Sequence, residues 1–259
     1  MGIKMLKKIE IKNEVSFDNL CSRLRNVGLR GFPDVRIYEK ARIGINSVSS
    51  RRVMELFTPQ PCVYTPILKR IEELSDLFSE KGIDIFHLVG GYDYLATDDK
   101  DEVTEWTLIP PVVEVLPIKF NPDKGLDYSN SVAPELISLM KEKGYELNPE
   151  LQNLDYPEFE RFKGTTSFVP IICDGSHRVE VGKRRGLQNL IFITLPEKGF
   201  PYYAAPKPYS SIHEEPDSEK SDKTHVLTSP GHKLLYRTFP SAGIKSGNVR
   251  PPTSKETYV

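Results

Sequence analysis

Five consecutive residues combine the side chains in this chain with the clearest chemical potential. They are Asp174-Gly175-Ser176-His177-Arg178, so that an acid, an imidazole and a guanidinium lie within one short stretch. An arginine presents a planar fork of donors to phosphate or carboxylate, and a histidine donates a hydrogen bond or moves a proton near neutral pH. The pentapeptide therefore indicates binding of an anionic group such as phosphate.

Two apolar runs flank this pentapeptide. Residues 168–173 precede it and residues 190–195 follow, which predicts a strand, a tight turn, a short helix from about His177 to Arg185, and a second strand. Gly175 allows a sharp turn, and Ser176 is expected to cap the helix. Unpaired N–H groups at a helix start bind anions well. The alternative is a plain Asp-Gly turn leading into a solvated helix.

The stretch from Ile172 to Arg178 resembles the Asp-Gly-x-His-Arg signature of the ParB/sulfiredoxin superfamily, whose strand–turn–helix binds nucleotide phosphates. Residues 108–118 resemble the opening strand of that superfamily, so the resemblance covers roughly residues 106–195. It implies a small mixed sheet with helices, and ATP or another nucleotide with Mg²⁺ as cofactors. It also implies a phosphate-binding role for Gly175, Ser176, His177 and Arg178, and a catalytic role for Asp174 and His177. No metal ligands are assigned.

Departures from the superfamily patterns narrow the function. Ser176 occupies the place of the reactive cysteine of sulfiredoxins, so a sulfinic-acid reductase is not expected. Residues 119–124 lack the His-Glu pair of the serine kinases, and the C-terminal part reads as loop where partition proteins have a helix-turn-helix. Two functions stay open. One is a nucleotide-dependent enzyme, a kinase or NTPase; the other is a non-catalytic, nucleotide-gated DNA- or partner-binding protein.

Composition sets the outer limits of these predictions. The chain has 259 residues, 38% of them hydrophobic, which is enough for a packed core. A net charge of −1 argues against broad electrostatic attraction to nucleic acid. The expected partners are a nucleotide and a small molecule or protein; DNA is possible but not favoured. Apolar runs are far shorter than a membrane span of about 20 residues, and residues 1–8 lack the long apolar region that is typical of a signal peptide. We expect a cytoplasmic protein without membrane contact.

The predicted fold class is α+β, with three parts. Apolar residues at helical spacing around residues 17–27 and 66–81 predict a mainly helical N-terminal domain over 1–104. A ParB/sulfiredoxin-like domain is expected over 105–245, with a helix at 131–144 and an aromatic run at 199–209, and a flexible tail over 246–259. The charged stretch 98–102 is interpreted as the linker between the two domains.

Overall fold

A computed structural model describes residues 6–60, 62–121, 125–127, 153–154, 166–195, 206–216 and 236–240. Within them, mixed sheets are combined with a few helices, so the α+β class is confirmed. The helix predicted over 131–144, most of the aromatic run and the tail over 246–259 lie outside the described residues.

The larger sheet positions the pentapeptide. Its strands are β2 (Arg42–Ser49), β3 (Phe57–Thr58), β7 (Val112–Asn121), β10 (Thr166–Asp174), β11 (Leu187–Thr194) and β12 (Lys207–Pro208), joined by β8 (Gly125–Asp127) and β9 (Asn153–Leu154). The order is β12-β3-β10-β7-β11-β2, with β8 and β9 continuing from β7. Strand β7 pairs antiparallel with β10 and parallel with β11. Because Asp174 pairs with Val112, the end of β10 lies beside the entry into β7.

Helices cover both faces of this sheet. Helix α1 (Phe17–Arg25) buries Leu20 and Leu24 in one core, together with Val112, Leu116, Ile171 and Ile191 of the sheet. Residues of opposite parity, such as Val113, Ile172 and Leu190, pack on the other face against α2 (Ser50–Val53) and α4 (Ser176–Arg185). This two-sided burial agrees with the continuous apolar runs in the sequence of these strands.

A smaller antiparallel sheet consists of β1 (Leu6–Val15), β5 (Gly91–Asp98) and β6 (Val103–Leu108), in the order β1-β5-β6. Helix α3 (Thr65–Ser79) lies on it and buries an apolar face that includes Ile71, Leu74 and Phe78. Pro66 falls in the first turn of α3, where its missing N–H costs little. The short strands β4 (Cys62–Tyr64) and β13 (His213–Glu215) pair in parallel.

The N-terminal part differs from the predicted helical unit. Residues 6–104 contain α1, α2 and α3, but also five strands and the start of β6, so a mainly helical domain is not confirmed. The charged stretch at 98–102 forms the hairpin turn between β5 and β6, in which Asp98 accepts the N–H groups of Lys100 and Glu102 at 2.9 Å. The domain division at residue 104 stays a prediction, although β2 and β3 share a sheet with strands beyond it.

None of the described helices is both long enough and apolar enough to cross a membrane.

Candidate functional site

The pentapeptide forms the junction between β10 and α4, as predicted. Gly175 has φ 82° and ψ 24°, the left-handed conformation that favours glycine. The helix starts at Ser176, one residue before the predicted start, so the capping position belongs to Gly175 and no side chain caps it. The predicted serine cap is therefore wrong. In the described part of the chain, no side chain caps the N–H groups at the start of α4, a common arrangement at anion sites.

Arg178 stabilises this turn through two hydrogen bonds of its guanidinium. Its Nη2 donates to Asp174 Oδ2 at 2.6 Å, and its Nη1 donates to the carbonyl oxygen of Ile109. The residue is only 6% exposed. A Cβ built on Gly175 would lie 2.8 Å from Arg178 Nη2 and 3.0 Å from Pro111 Cβ, so the guanidinium is packed directly against the glycine. The structure thus gives Arg178 two internal partners.

Ser176 points towards the N-terminal part of the chain. Its Oγ lies 3.3 Å from Thr58 Oγ1, and both residues are buried. The carbonyl oxygen of Ser176 accepts the phenol of Tyr209 at 3.2 Å, and the same phenol reaches Glu180 Oε2 at 3.1 Å. The first turn of α4 is therefore fixed to β3 and to the short 3₁₀ turn at Tyr209–Ser211.

His177 lies against two residues that the sequence did not single out. Its ring stacks on Tyr64 at 5.6 Å between centroids, and its Nδ1 lies 3.4 Å from the Gln60 side-chain nitrogen. An amide nitrogen only donates, so Nδ1 accepts and the proton of a neutral imidazole is on Nε2. His177 Nε2 is buried and has no hydrogen-bond partner among the residues that the structure describes. The site therefore contains a donor without an acceptor.

Burial lowers the pKa of His177 from 6.5 to about 4. The imidazole is consequently neutral at physiological pH, because desolvation disfavours its charged form. Proton transfer near neutral pH, which the sequence suggested for a histidine here, does not agree with this shift. A neutral Nε2–H donor agrees with it.

A buried polar cluster lies next to the turn and was not predicted. Glu114 is 0% exposed and accepts from the Tyr38 phenol and from Arg237. The Sγ of Cys173 lies 3.9 Å from the same phenol and donates to the Val112 carbonyl at 3.4 Å. Burial raises the pKa of Cys173 well above its ordinary value. Cys173 is therefore a half-buried residue that packs against the core, with its thiol bonded to Tyr38 and Val112.

No sequence pattern indicated which residues contact the pentapeptide. Thr58, Gln60 and Tyr64 look like ordinary loop and strand residues, and Gln60 is 117 positions from its partner His177. The parallel pairing of β3 with β10 and the packing of β4 against α4 bring them together. The last turn of α4 is basic, which complements the helix dipole, and Lys183 in this turn also pairs with Glu180 at 2.7 Å.

Metal ligands were left unassigned at the sequence level. Among the residues that the structure describes, no group of three or more histidine, cysteine, aspartate or glutamate side chains is arranged to hold a metal ion.

Comparison with known proteins identifies one family. Residues 19–119 match the model of the ParB CE domain. Neither the curated proteins nor the solved structures include a match to this chain. The matched segment begins in α1 and ends in β7.

The match confirms the ParB-like resemblance but lies mainly N-terminal to the region in which it was predicted. It shares only residues 106–119 with the predicted range, and the pentapeptide lies outside it. The matched segment nevertheless supplies Thr58, Gln60, Tyr64 and Ile109, which contact the pentapeptide. Residues 19–119 of this chain are therefore assigned to the ParB-like family.

Proposed function

We propose that this protein binds a nucleotide through the Asp174–Arg178 turn, with the phosphates at the start of α4. The observation that carries the proposal is the buried His177 Nε2. Within the described part of the chain, this donor has no partner, and no side chain caps the helix start beside it. A phosphate oxygen would satisfy this donor. It would also interact favourably with the positive end of the helix dipole.

Each residue of the turn has a distinct role in this proposal. Gly175 lets the backbone approach the phosphate closely, and Ser176 and His177 offer backbone N–H groups. His177 adds the Nε2–H donor, held in place by the stack on Tyr64. Arg178 acts mainly on the shape of the turn, because two of its donors are used by Asp174 and Ile109.

Phosphoryl transfer or nucleotide hydrolysis is the catalytic form of this proposal. The side chain of Asp174 is 23% exposed, and Arg178 contacts only its Oδ2. The other oxygen is available to orient a nucleophile or to contact Mg²⁺ bound to the phosphates, since Mg²⁺ prefers oxygen ligands. When bound, Mg²⁺ would neutralise phosphate charge during the reaction.

A second candidate is nucleotide-gated binding of a partner protein or DNA without chemistry. It is favoured by the contacts of Ser176 and His177 with Thr58 and Gln60. A ligand bound at the turn would act through these contacts on the ParB-like segment, residues 19–119, and change its conformation. The neutral state of His177 also removes the most obvious proton carrier from the turn.

Thermal unfolding with nucleotides tests the proposal. Purified protein is measured with ATP, ADP, CTP and GTP, with and without Mg²⁺, because a ligand that binds only the folded state raises the melting temperature. His177→Phe keeps a ring against Tyr64 but removes the donor, so the nucleotide-induced shift should be lost. His87→Phe is the matched control, since His87 is exposed and pairs with Asp84 at 2.8 Å.

Phosphate release by the same samples separates the two candidates. If the wild type releases phosphate and Asp174→Asn binds nucleotide without releasing phosphate, the catalytic form of the proposal is supported. Binding without turnover supports the gated protein. No stabilisation by any nucleotide, or an equal shift in His177→Phe and wild type, contradicts the phosphate site.

A further inference from the structure

Strand β2 forms an edge of the larger sheet. It pairs with β11 through eight consecutive residue pairs, from Arg42 with Thr194 to Ser49 with Leu187, without a bulge. In the part of the chain that the structure describes, no strand pairs with its other side. In a regular antiparallel ladder, about half of the residues of an edge strand direct their N–H and C=O groups away from the sheet.

This edge lacks the features that usually prevent pairing with another chain. Proteins protect exposed edges with prolines, bulges or charged side chains within the strand. Residues 43–49 of β2 contain neither proline nor a charged residue. Gly44 faces open space, because a Cβ built there meets nothing within 4 Å. Within the described residues, nothing therefore prevents an added strand from pairing with the main chain of β2.

Arginines flank this open edge. Arg42 is the first residue of β2, and Arg51 and Arg52 follow its end in α2; all three are exposed and make no ion pair with a described residue. The nearest acidic residues in the sequence are Glu39 and Glu55. The charge of Glu39 is offset by Lys40, and that of Glu55 by one of the two arginines at 51 and 52. A positive charge therefore remains near each end of the uncharged edge.

This charge distribution disfavours a second copy of the chain as the added strand. Antiparallel pairing of two β2 strands in full register would place Arg42 of one copy near Arg51 and Arg52 of the other. Like charges at such distances repel, whereas acidic side chains at both ends of an added strand would be attracted. The same complementarity speeds association and fixes the register.

We propose that the β2 edge binds an extended segment of a partner protein that has an uncharged, β-branched centre and acidic residues at both ends. The added strand would extend the sheet beyond β2, with main-chain hydrogen bonds supplying affinity and the arginines supplying charge selection. This surface is distinct from the turn at Asp174–Arg178, which lies after β10 in the interior of the strand order.

A labelled peptide tests the proposal by fluorescence anisotropy on the full-length protein. The probe has six alternating valine and threonine residues between two pairs of glutamates. The controls are the same peptide with lysines at the ends, and one with a central proline that cannot complete the ladder. We expect binding of the acidic probe only, with an affinity that falls as salt is added.

Variants of the protein locate the binding surface. Gly44→Lys introduces a charge into the edge and should weaken binding at least tenfold, whereas the matched Gly44→Ala should not. Reversal of both arginines, Arg51→Glu with Arg52→Glu, should also weaken it. Lys8→Glu with Lys12→Glu is the control, because it changes the net charge equally on exposed positions of β1.

Three results would overturn the proposal. The first is absence of binding of the acidic probe by the wild type at millimolar concentration. The second is binding that is equal for the acidic and basic peptides or unaffected by Gly44→Lys. The third is a wild-type dimer in light scattering that becomes monomeric in Gly44→Lys, which would identify a second copy as the occupant.

Discussion

Arg237 and Glu114 form a buried, two-pronged ion pair across 123 positions of the chain. Arg237 Nε lies 2.8 Å from Glu114 Oε1, and its Nη2 lies 3.2 Å from Oε2. Their side chains are 2% and 0% exposed. Because Glu114 is in the central strand β7, this pair fixes the segment 236–240 to the core of the larger sheet. Arg30 and Thr238 strengthen this attachment through main-chain bonds at 2.8 and 3.0 Å.

Removal of Arg237 should be strongly destabilising. Arg237→Ala leaves the Glu114 carboxylate buried without its charged partner, while the Tyr38 phenol still donates to it. Loss of one partner of a buried pair typically costs about 3–5 kcal/mol of unfolding free energy. Urea unfolding measures this change, and Arg52→Ala is the control because Arg52 is exposed.

A double variant distinguishes the charge from the packing. Glu114→Gln combined with Arg237→Met removes both charges and keeps much of the side-chain volume, so it should recover part of the stability lost in Arg237→Ala. If Arg237→Ala costs less than about 1 kcal/mol, the pair does not anchor the segment in solution.

The sequence predicted the elements around the turn better than their neighbours. The apolar runs before and after the pentapeptide and the glycine between them specify β10, α4 and β11 through local patterning. The pair of Glu114 with Arg237 could not be predicted in this way, because neither residue carries a local signal and only the folded sheet brings them together. The predicted mainly helical N-terminal unit is not confirmed. The two segments with helical spacing form α1 and α3, but strands such as β1 and β5 lie in the same part of the chain.

Gly175→Ala should be more destabilising than a glycine substitution at a similar backbone conformation. Gly82 has φ 76°, close to the φ 82° of Gly175, but its Cβ would meet nothing within 4 Å. Gly82→Ala therefore reports the left-handed strain alone, about 1–2 kcal/mol. Gly175→Ala adds the contact with Arg178 and Pro111. Chemical unfolding of both variants measures the difference, and equal losses would show that the guanidinium can move away.

Arg178→Lys tests whether this residue shapes the turn. A lysine can still reach Asp174, but it cannot donate to Asp174 and to the Ile109 carbonyl in the same planar geometry. One buried acceptor would lose its partner, so we expect a loss of about 1–3 kcal/mol. Nucleotide-induced stabilisation should weaken at the same time. A variant with wild-type stability but no nucleotide response would instead assign Arg178 to direct phosphate contact.

His177 should make the protein sensitive to mild acid. Its pKa is about 4 in the folded state and 6.5 in the unfolded reference, so the unfolded chain binds more protons between these values. Stability therefore rises with pH in this window and is lost as the pH falls from about 6.5 towards 4. A shift of this size corresponds to roughly 3 kcal/mol of unfolding free energy when the window is crossed completely.

His177→Phe isolates this contribution from that of the carboxylates, which also titrate in acid. Phenylalanine keeps the ring against Tyr64 and removes the titrating group, so the difference in unfolding free energy between wild type and variant should change with pH mainly between 6.5 and 4. Parallel profiles of His177→Phe and wild type would show that the imidazole is solvated and titrates normally. That result would also remove the unpartnered donor on which the proposed phosphate site depends.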